Sequence, residues 1–173
     1  ELNSPKDPSK VTVGDLNVSR DEEGYGVALT LNKDFEPFTL TSITAWDTYD
    51  QAVVDNYGGT SERITDFIQD NEIDQFSQEL RFTGNTDGVF SWILGFNYSQ
   101  ETVDAYGIFD DSFVAYETFG DVGTDLIIAD YEQETESLGV YLHTETELNE
   151  EWKLTVGRRY SQDERSFDGI DSN

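Results

Sequence analysis

The chain has 173 residues, a formal net charge of −27 and only 36% hydrophobic residues, so its apolar side chains must be concentrated on one part of the fold. Aromatic residues make up 13% of the chain, which excludes a disordered acidic tail, and the charge argues against nucleic acid or an anionic membrane surface as a partner because both are repelled. The absence of cysteine excludes disulfides and thiolate-bound metals, and no apolar run approaches the ~18–20 residues of a spanning helix, so a membrane would have to be crossed by strands.

The first part of the chain predicts two β-strands after an irregular polar loop segment at 1–20. In residues 25–31, Tyr, Val, Leu and Leu alternate with small and polar residues, and the connection 33–37 contains a proline that ends the ladder. A second strand is predicted at 38–50, "FTLTSITAWDTYD", because this segment is dense in β-branched residues, although its alternation is less regular.

The middle of the chain predicts a β-hairpin. A third strand runs over about 74–83, and Asn-Thr-Asp-Gly within 84–88 is the strongest turn signal in the sequence. In the next stretch, "FSWILGFNYS" at 90–99, four large apolar or aromatic residues occupy alternate positions, a set called here one parity, which shares one face of a strand. Small or polar residues occupy the other parity, and only Ile93 breaks the pattern. The function of the protein therefore depends on whether this aromatic face contacts a protein core or another surface.

A second hairpin follows near the end of the chain. A strand over about 135–148, a turn at 149–151 and a sixth strand from 152 onwards alternate in the same way, and no convincing helix interrupts the series. The fold class predicted is all-β, with about six long antiparallel strands over 21–165 and the start of a further loop at 166–173.

The connections alternate between short turns and long acidic loops. Turns are expected at 33–37, 84–88 and 149–151, and long loops at 51–73 and 103–133. This alternation is typical of a transmembrane β-barrel, whereas a soluble sandwich mixes its loop lengths. The apolar parity would then face lipid, with an aromatic girdle at the membrane interfaces. The expected girdle residues are Trp46, Trp92, Tyr98, Trp152 and Tyr160. Packing of the apolar parity against a partner sheet remains the alternative.

Three strings closely resemble barrel strands of TonB-dependent outer-membrane receptors: "FTLTSITAW" (38–46), "FSQELRFTGNTDGVFSWILGFNYSQE" (76–101) and "ETESLGVYLHTETELNEEWKLTVGRRYSQDER" (134–165). The resemblance implies a barrel of about 22 strands around an N-terminal plug. It also implies uptake of a siderophore, cobalamin, glycan or similar scarce solute across the outer membrane of a Gram-negative bacterium, with energy relayed by TonB. Lipid, TonB, the plug and a small solute are the partners it implies.

The chain departs from that family pattern in two respects. Six strands cannot close a barrel, so the chain is expected to be an internal slice of a receptor without the plug, and the state in which the slice exists stays open. Arg158 stands on the lipid parity between Val156 and Tyr160, where a charge costs ~2–4 kcal/mol near the bilayer midplane and less near its edge.

Few residues point to site chemistry. His143 is the one histidine and is interpreted as structural or solvated, and no nucleophile–base set or phosphate-binding motif is present, so no catalytic residue and no enzyme are expected. Asp110 and Asp111 are weak candidates for a Ca²⁺ site, since Ca²⁺ or another divalent cation prefers oxygen ligands in acidic loops.

Two functions of different classes follow. The first is transport, as part of a TonB-dependent receptor. The second is an extracellular, amyloid-like cross-β fibre in which processed fragments self-associate through open strand edges, against which the charge of −27 counts heavily. A soluble antiparallel β domain that binds a ligand in its loops is a third reading, and Arg158 favours it.

Overall fold

The computed structural model describes residues 17–56, 65–86, 88–110 and 126–172. These residues form one six-stranded antiparallel sheet in which each strand pairs with its successor in the chain, so the all-β expectation is confirmed. No helix within these ranges has the length and apolar character needed to cross a membrane. The strands are β1 (Ser19–Phe35), β2 (Phe38–Asn56), β3 (Asp66–Thr86), β4 (Phe90–Asp110), β5 (Leu126–Glu147) and β6 (Lys153–Ser172).

The strands extend well into the segments that the sequence assigned to long loops. The expected loop 51–73 is strand as far as Asn56 and again from Asp66, and the expected loop 103–133 is strand as far as Asp110 and again from Leu126. Backbone pairing continues through these segments, but their charged residues remove the hydrophobic alternation that marks a strand in sequence. Residues 57–64 and 111–125 lie outside the described residues.

The ends of the sheet differ from expectation in the same way. β1 already begins at Ser19, inside the segment 1–20 assigned to an irregular loop, of which residues 1–16 lie outside the described residues. β6 runs through the segment 166–173 to Ser172, because Ile128 to Glu134 of β5 supply it with a partner backbone that no local sequence signal reveals.

The short turns lie where the sequence predicts them and are held by side-chain hydrogen bonds. In the turn before β6, the N–H groups of Glu151 and Trp152 donate to Oδ1 of Asn149 at 3.0 and 2.9 Å. In the turn before β4, the N–H of Gly88 donates to Oδ1 of Asn85 at 2.9 Å, and Gly88 has a φ of 76°, a value that glycine adopts without steric cost.

The sheet has two faces, which the register defines. Side chains of directly paired residues point to the same side of a sheet. Face A therefore contains Leu80, Phe96 and Val140, which are paired in one row, and face B contains Arg81, Gly95 and Tyr141 of the next row.

Along the strands the sheet divides into two halves. The turn-proximal half lies next to the short turns and ends near Trp46 and Tyr98, and the loop-proximal half continues to the other strand ends. Of the described hydrophobic residues only Ala105 is buried, while Val27 is 66% and Val156 55% exposed. A single sheet cannot bury its own apolar face, so something outside the described sheet must cover it.

Candidate functional site

Face A of the turn-proximal half is an apolar belt. Its rings contact one another across neighbouring strands, with centroid distances of 5.9 Å between Tyr25 and Trp46 and 6.4 Å between Phe82 and Phe96. Aliphatic residues fill the space between the rings, such as the directly paired Leu94 and Leu142. The belt crosses all six strands, which makes it far larger than the scattered exposed hydrophobic residues of an ordinary surface.

The Trp and Tyr residues on this face lie at two levels. Trp92 is the third residue of β4 and Trp152 immediately precedes β6, so both lie beside the short turns. Trp46, Tyr98 and Tyr160 are the ninth, ninth and eighth residues of their strands and lie at the other edge of the belt. From Trp152 to Tyr160 the strand rises ~26 Å, which a tilt of ~35–45° reduces to ~20 Å, close to the ~25 Å apolar band of outer-membrane barrels.

Polar side chains interrupt the belt at Lys33 and at the hydrogen-bonded Ser42, Thr44 and Gln78, and a further charge stands at Arg158. Arg158 is paired with Leu142 on face A and stands between Val156 and Tyr160. It lies two residues from Tyr160, so the long side chain can carry its guanidinium to the edge of the belt while its methylene groups stay among apolar neighbours.

Face B of the turn-proximal half is polar and contains a hydrogen-bond network that crosses three strands. The Tyr141 hydroxyl on β5 donates to Oε1 of Glu79 on β3 at 2.6 Å, and Arg81 binds the same carboxylate at 2.9 Å. Gly95 lies between them on β4, and a Cβ at that position would overlap the Tyr141 ring. Glycine is therefore required at position 95 for Tyr141 to reach across β4.

A similar crossing occurs at the next strand. Nη2 of Arg159 on β6 donates to Oδ1 of Asn97 on β4 at 3.5 Å, passing Gly139 on β5, where a Cβ would overlap the Asn97 amide. His143 also lies on this face, with its Nε2 3.4 Å from Oε1 of Glu145. Polar groups of face B are thus linked to one another across strands, as expected for a wall that faces water.

The loop-proximal half departs from this distribution. On face A, acidic residues such as Asp70, Glu72 and Asp104 interrupt the apolar side chains, and the described face A residues there include no Lys or Arg. An aliphatic row of Val54, Ile68, Ile108 and Ile128 follows nearer the strand ends. Face B of the same half carries mostly aliphatic, aromatic and amide side chains on β2 to β5 and charged residues such as Arg20, Glu22 and Arg165 on the outer strands. The sequence did not predict this change in the two faces because these segments were assigned to loops. Following the alternation of side chains through the segments would have detected it.

A family model described as "TonB dependent receptor-like, beta-barrel" matches residues 3–173. The chain belongs to the TonB-dependent receptor family. No curated protein sequence matches it. The family match confirms the resemblance of the strand sequences to TonB-dependent receptors. Members of this family are β-barrels of the Gram-negative outer membrane and act as transporters rather than enzymes.

Membership of the TonB-dependent receptor family orients the two faces. In an outer-membrane barrel the apolar band faces lipid, the opposite face lines the lumen, and the longer connections are extracellular. By this family architecture we expect face A of the turn-proximal half to meet lipid and the Glu79–Arg81–Tyr141 network to face the lumen. The girdle role of the five Trp and Tyr residues stays a prediction, although each of the four that lie in strands is on face A.

The remaining candidate site is the acidic pair of the β4–β5 connection. Asp110 ends β4 and is paired with Asp66 and Leu126, and Asp111 lies outside the described residues. Among the residues that the structure describes, no group of three or more His, Cys, Asp or Glu side chains is arranged to hold a metal ion. The Ca²⁺ site stays a prediction.

Proposed function

We propose that this chain supplies six adjacent strands to the wall of an outer-membrane receptor that imports a scarce solute with energy relayed by TonB. The observation that carries the proposal is the apolar belt on face A between two levels of Trp and Tyr residues. No other covering for this belt is available within the described sheet, and lipid covers such a surface without a specific partner.

The edges of the sheet support the same proposal. β1 pairs only with β2 and β6 only with β5 within the described residues, so each retains an open hydrogen-bonding edge. In a membrane, unpaired N–H and C=O groups cost several kcal/mol each, which makes an open edge untenable there. Further strands of the same receptor would pair with both edges and close the barrel around the plug.

The solute is to be found among siderophores, cobalamin, glycans and similar compounds that are too large or too scarce for diffusion through porins. The plug and TonB complete the machinery, and divalent cations at the acidic extracellular surface are a further expectation. The extracellular fibre gains no support from the sheet or from the family, and no observation favours it over the receptor.

The proposal is tested in the bacterium that encodes the chain. We expect the receptor in the outer-membrane fraction, and we expect deletion of its gene and deletion of tonB to abolish growth on the same limiting solute, with growth restored by the intact receptor gene. Recovery of the intact receptor as a soluble protein without detergent would refute the proposal, as would growth on every limiting solute unaffected by its deletion.

A further inference from the structure

The loop-proximal half of face B carries a ladder of amide side chains. Nε2 of Gln69 donates to Oδ1 of Asn71 at 3.3 Å, and Nδ2 of Asn71 donates to Oε1 of Gln51 at 3.1 Å. Nε2 of Gln51 in turn donates to Oε1 of Glu22 at 2.8 Å, and Arg20 pairs with that carboxylate at 2.6 Å. The ladder therefore crosses β3, β2 and β1 and ends on an ion pair.

The ladder fixes the orientation of the amides but leaves part of their hydrogen-bonding capacity unused. A primary amide has two N–H groups and a carbonyl oxygen with two lone pairs, and the Gln69 and Asn71 amides each use one N–H in the ladder. Asn71 is held from both sides, by Gln69 and by Gln51. Its orientation is therefore set before any ligand arrives, which lowers the entropy lost on binding.

An aromatic platform stands on the other side of β4. The rings of Tyr131 and Phe167 stack with centroids 5.1 Å apart and an interplanar angle of 29°. Gly169 is paired directly with Tyr131, and a Cβ at position 169 would overlap the Cβ of Tyr131. Phe167 is 63% exposed, so the platform presents a large apolar surface to the lumen side of the sheet.

Between the amides and the platform lies a floor of small residues on β4. Ala105 is paired directly with Asn71 on one side and with Tyr131 on the other, and Gly107 is next to it on the same face. The backbones of β3 and β5 are ~10 Å apart across β4. A Cβ at Gly107 would meet nothing closer than a backbone oxygen at 3.9 Å, so the space above Gly107 is open, whereas Ala105 is covered by its neighbours.

This amide–aromatic groove, defined by Gln69, Asn71, Ala105, Gly107, Tyr131 and Phe167, is electrically neutral. In the three paired rows that contain Gln69, Asn71 and Ile73, the face B residues on β2 to β5 carry no charge. Neutrality is unexpected in a chain with a net charge of −27. The same rows end on β1 at Arg20 and Glu22, which pair with each other, so the groove itself favours an uncharged ligand.

We propose that the amide–aromatic groove binds a neutral sugar ring of the imported solute, an inference that rests on the proposed transport function and specifies its substrate class. A sugar has an apolar C–H face that packs on an aromatic platform and hydroxyl groups that both donate and accept hydrogen bonds, as amides do. Asn71 and Tyr131 are paired with Ala105 from opposite sides on the same face, so a sugar ring seated over β4 between them would contact both.

The test uses the intact receptor, purified in detergent and applied to an array of neutral gluco-, galacto- and manno-oligosaccharides together with uronic-acid and sulfated oligosaccharides. We expect binding to at least one neutral series. Asn71→Leu and Tyr131→Ala should each weaken it about tenfold or more, since the loss of a buried hydrogen bond or an aromatic contact reaches ~1.4 kcal/mol. Gly107→Trp should abolish it by filling the groove.

Matched controls lie on face A of the same strand. Tyr106→Ala removes a tyrosine next to Ala105 in sequence but on the opposite face, and Ile108→Trp adds a tryptophan next to Gly107 on the opposite face. Neither should change binding, and each variant is checked for its compact, heat-modifiable electrophoretic band before use.

Absence of binding to every neutral series, binding to acidic oligosaccharides alone, or neutral binding that the groove variants and the controls affect equally would overturn the inference. These outcomes leave the transport function intact if the receptor still resides in the outer membrane and still supports TonB-dependent growth. Failure of the transport function shows instead as a wrong location or as growth without any dependence on the receptor.

Discussion

Substitution of Leu94 by arginine places a charge in the middle of the apolar belt. Leu94 is the fifth residue of β4 on face A, two residues from Trp92 and four from Tyr98, which is ~7 Å and ~13 Å along the strand. The arginine side chain therefore starts near the centre of the apolar band. Its nearest neighbours across the sheet, Phe82 and Leu142, offer no carboxylate to pair with.

The size of the destabilisation depends on how deep the arginine lies in the bilayer. An arginine on the lipid face near the bilayer midplane costs ~2–4 kcal/mol, which reduces the ratio of folded to unfolded receptor ~30-fold to ~700-fold. The adjacent control, Ile93→Arg, adds the same side chain to face B, where Arg81 and His143 already stand in water-facing positions. We expect the control to cost less than ~1 kcal/mol, since lumen substitutions leave the lipid contact unchanged.

The assay is urea-induced unfolding of the intact receptor in lipid vesicles, followed by loss of the heat-modifiable band on electrophoresis. Leu94→Arg should lower the urea midpoint much more than Ile93→Arg. Equal midpoints for the two variants, or a larger loss for Ile93→Arg, would refute the assignment of face A to lipid.

Three further predictions concern single groups. Gly95→Ala should push the Tyr141 ring off its position and destabilise the receptor by ~1–3 kcal/mol in the same unfolding assay, and Tyr141→Ala should restore most of this loss; additive losses in the double variant would contradict the steric explanation. Arg158→Leu should raise the urea midpoint, by less than the ~2–4 kcal/mol of a midplane arginine because its guanidinium reaches the belt edge, and a lowered midpoint would mean that Arg158 binds a partner. The Gln51 amide and the Arg20 guanidinium hydrogen-bond the Glu22 carboxylate and lower its pKa. The stabilisation that Glu22 gives is therefore present above the ordinary glutamate pKa and is lost as the pH falls through the lowered value. NMR titration should find the pKa of Glu22 closer to the ordinary value in Gln51→Leu, and an unchanged titration would refute the amide's role.

The turn-proximal half of the sheet was predictable because it follows simple alternation. In β4 the residues from Trp92 to Tyr98 alternate almost without exception, and the turn at Asn85 and Gly88 has a strong local signal. The register and the two faces then follow from pairing alone. Local sequence contains this information because one face of every strand there meets a uniform apolar environment.

The loop-proximal half was not predictable in the same way. Asp70 and Glu72 are charged residues within the first half of β3. A search for strands by alternating apolar residues therefore assigns this part of β3 to a loop. In both halves, arrangements across an intervening strand involve residues far apart in sequence: Tyr141 crosses Gly95 to reach Glu79, and Asn71 and Tyr131 flank Ala105. Arrangements of this kind depend on register, which single strands do not encode.

Face A of the sheet changes from apolar to acidic at the level where the outer edge of the membrane is expected. Single cysteines placed one at a time along β4, from Ser91 to Phe109, can carry a nitroxide label in the intact receptor in lipid bilayers, after replacement of any cysteine elsewhere in the receptor; these 173 residues contain none. We expect labels at even positions from Trp92 to Tyr98 to be accessible to oxygen dissolved in lipid and shielded from a water-soluble nickel reagent. Labels at even positions from Gln100 onwards should be exposed to the nickel reagent. Lipid exposure that continues at even positions past Tyr106, or water exposure at Leu94 and Phe96, would overturn this arrangement.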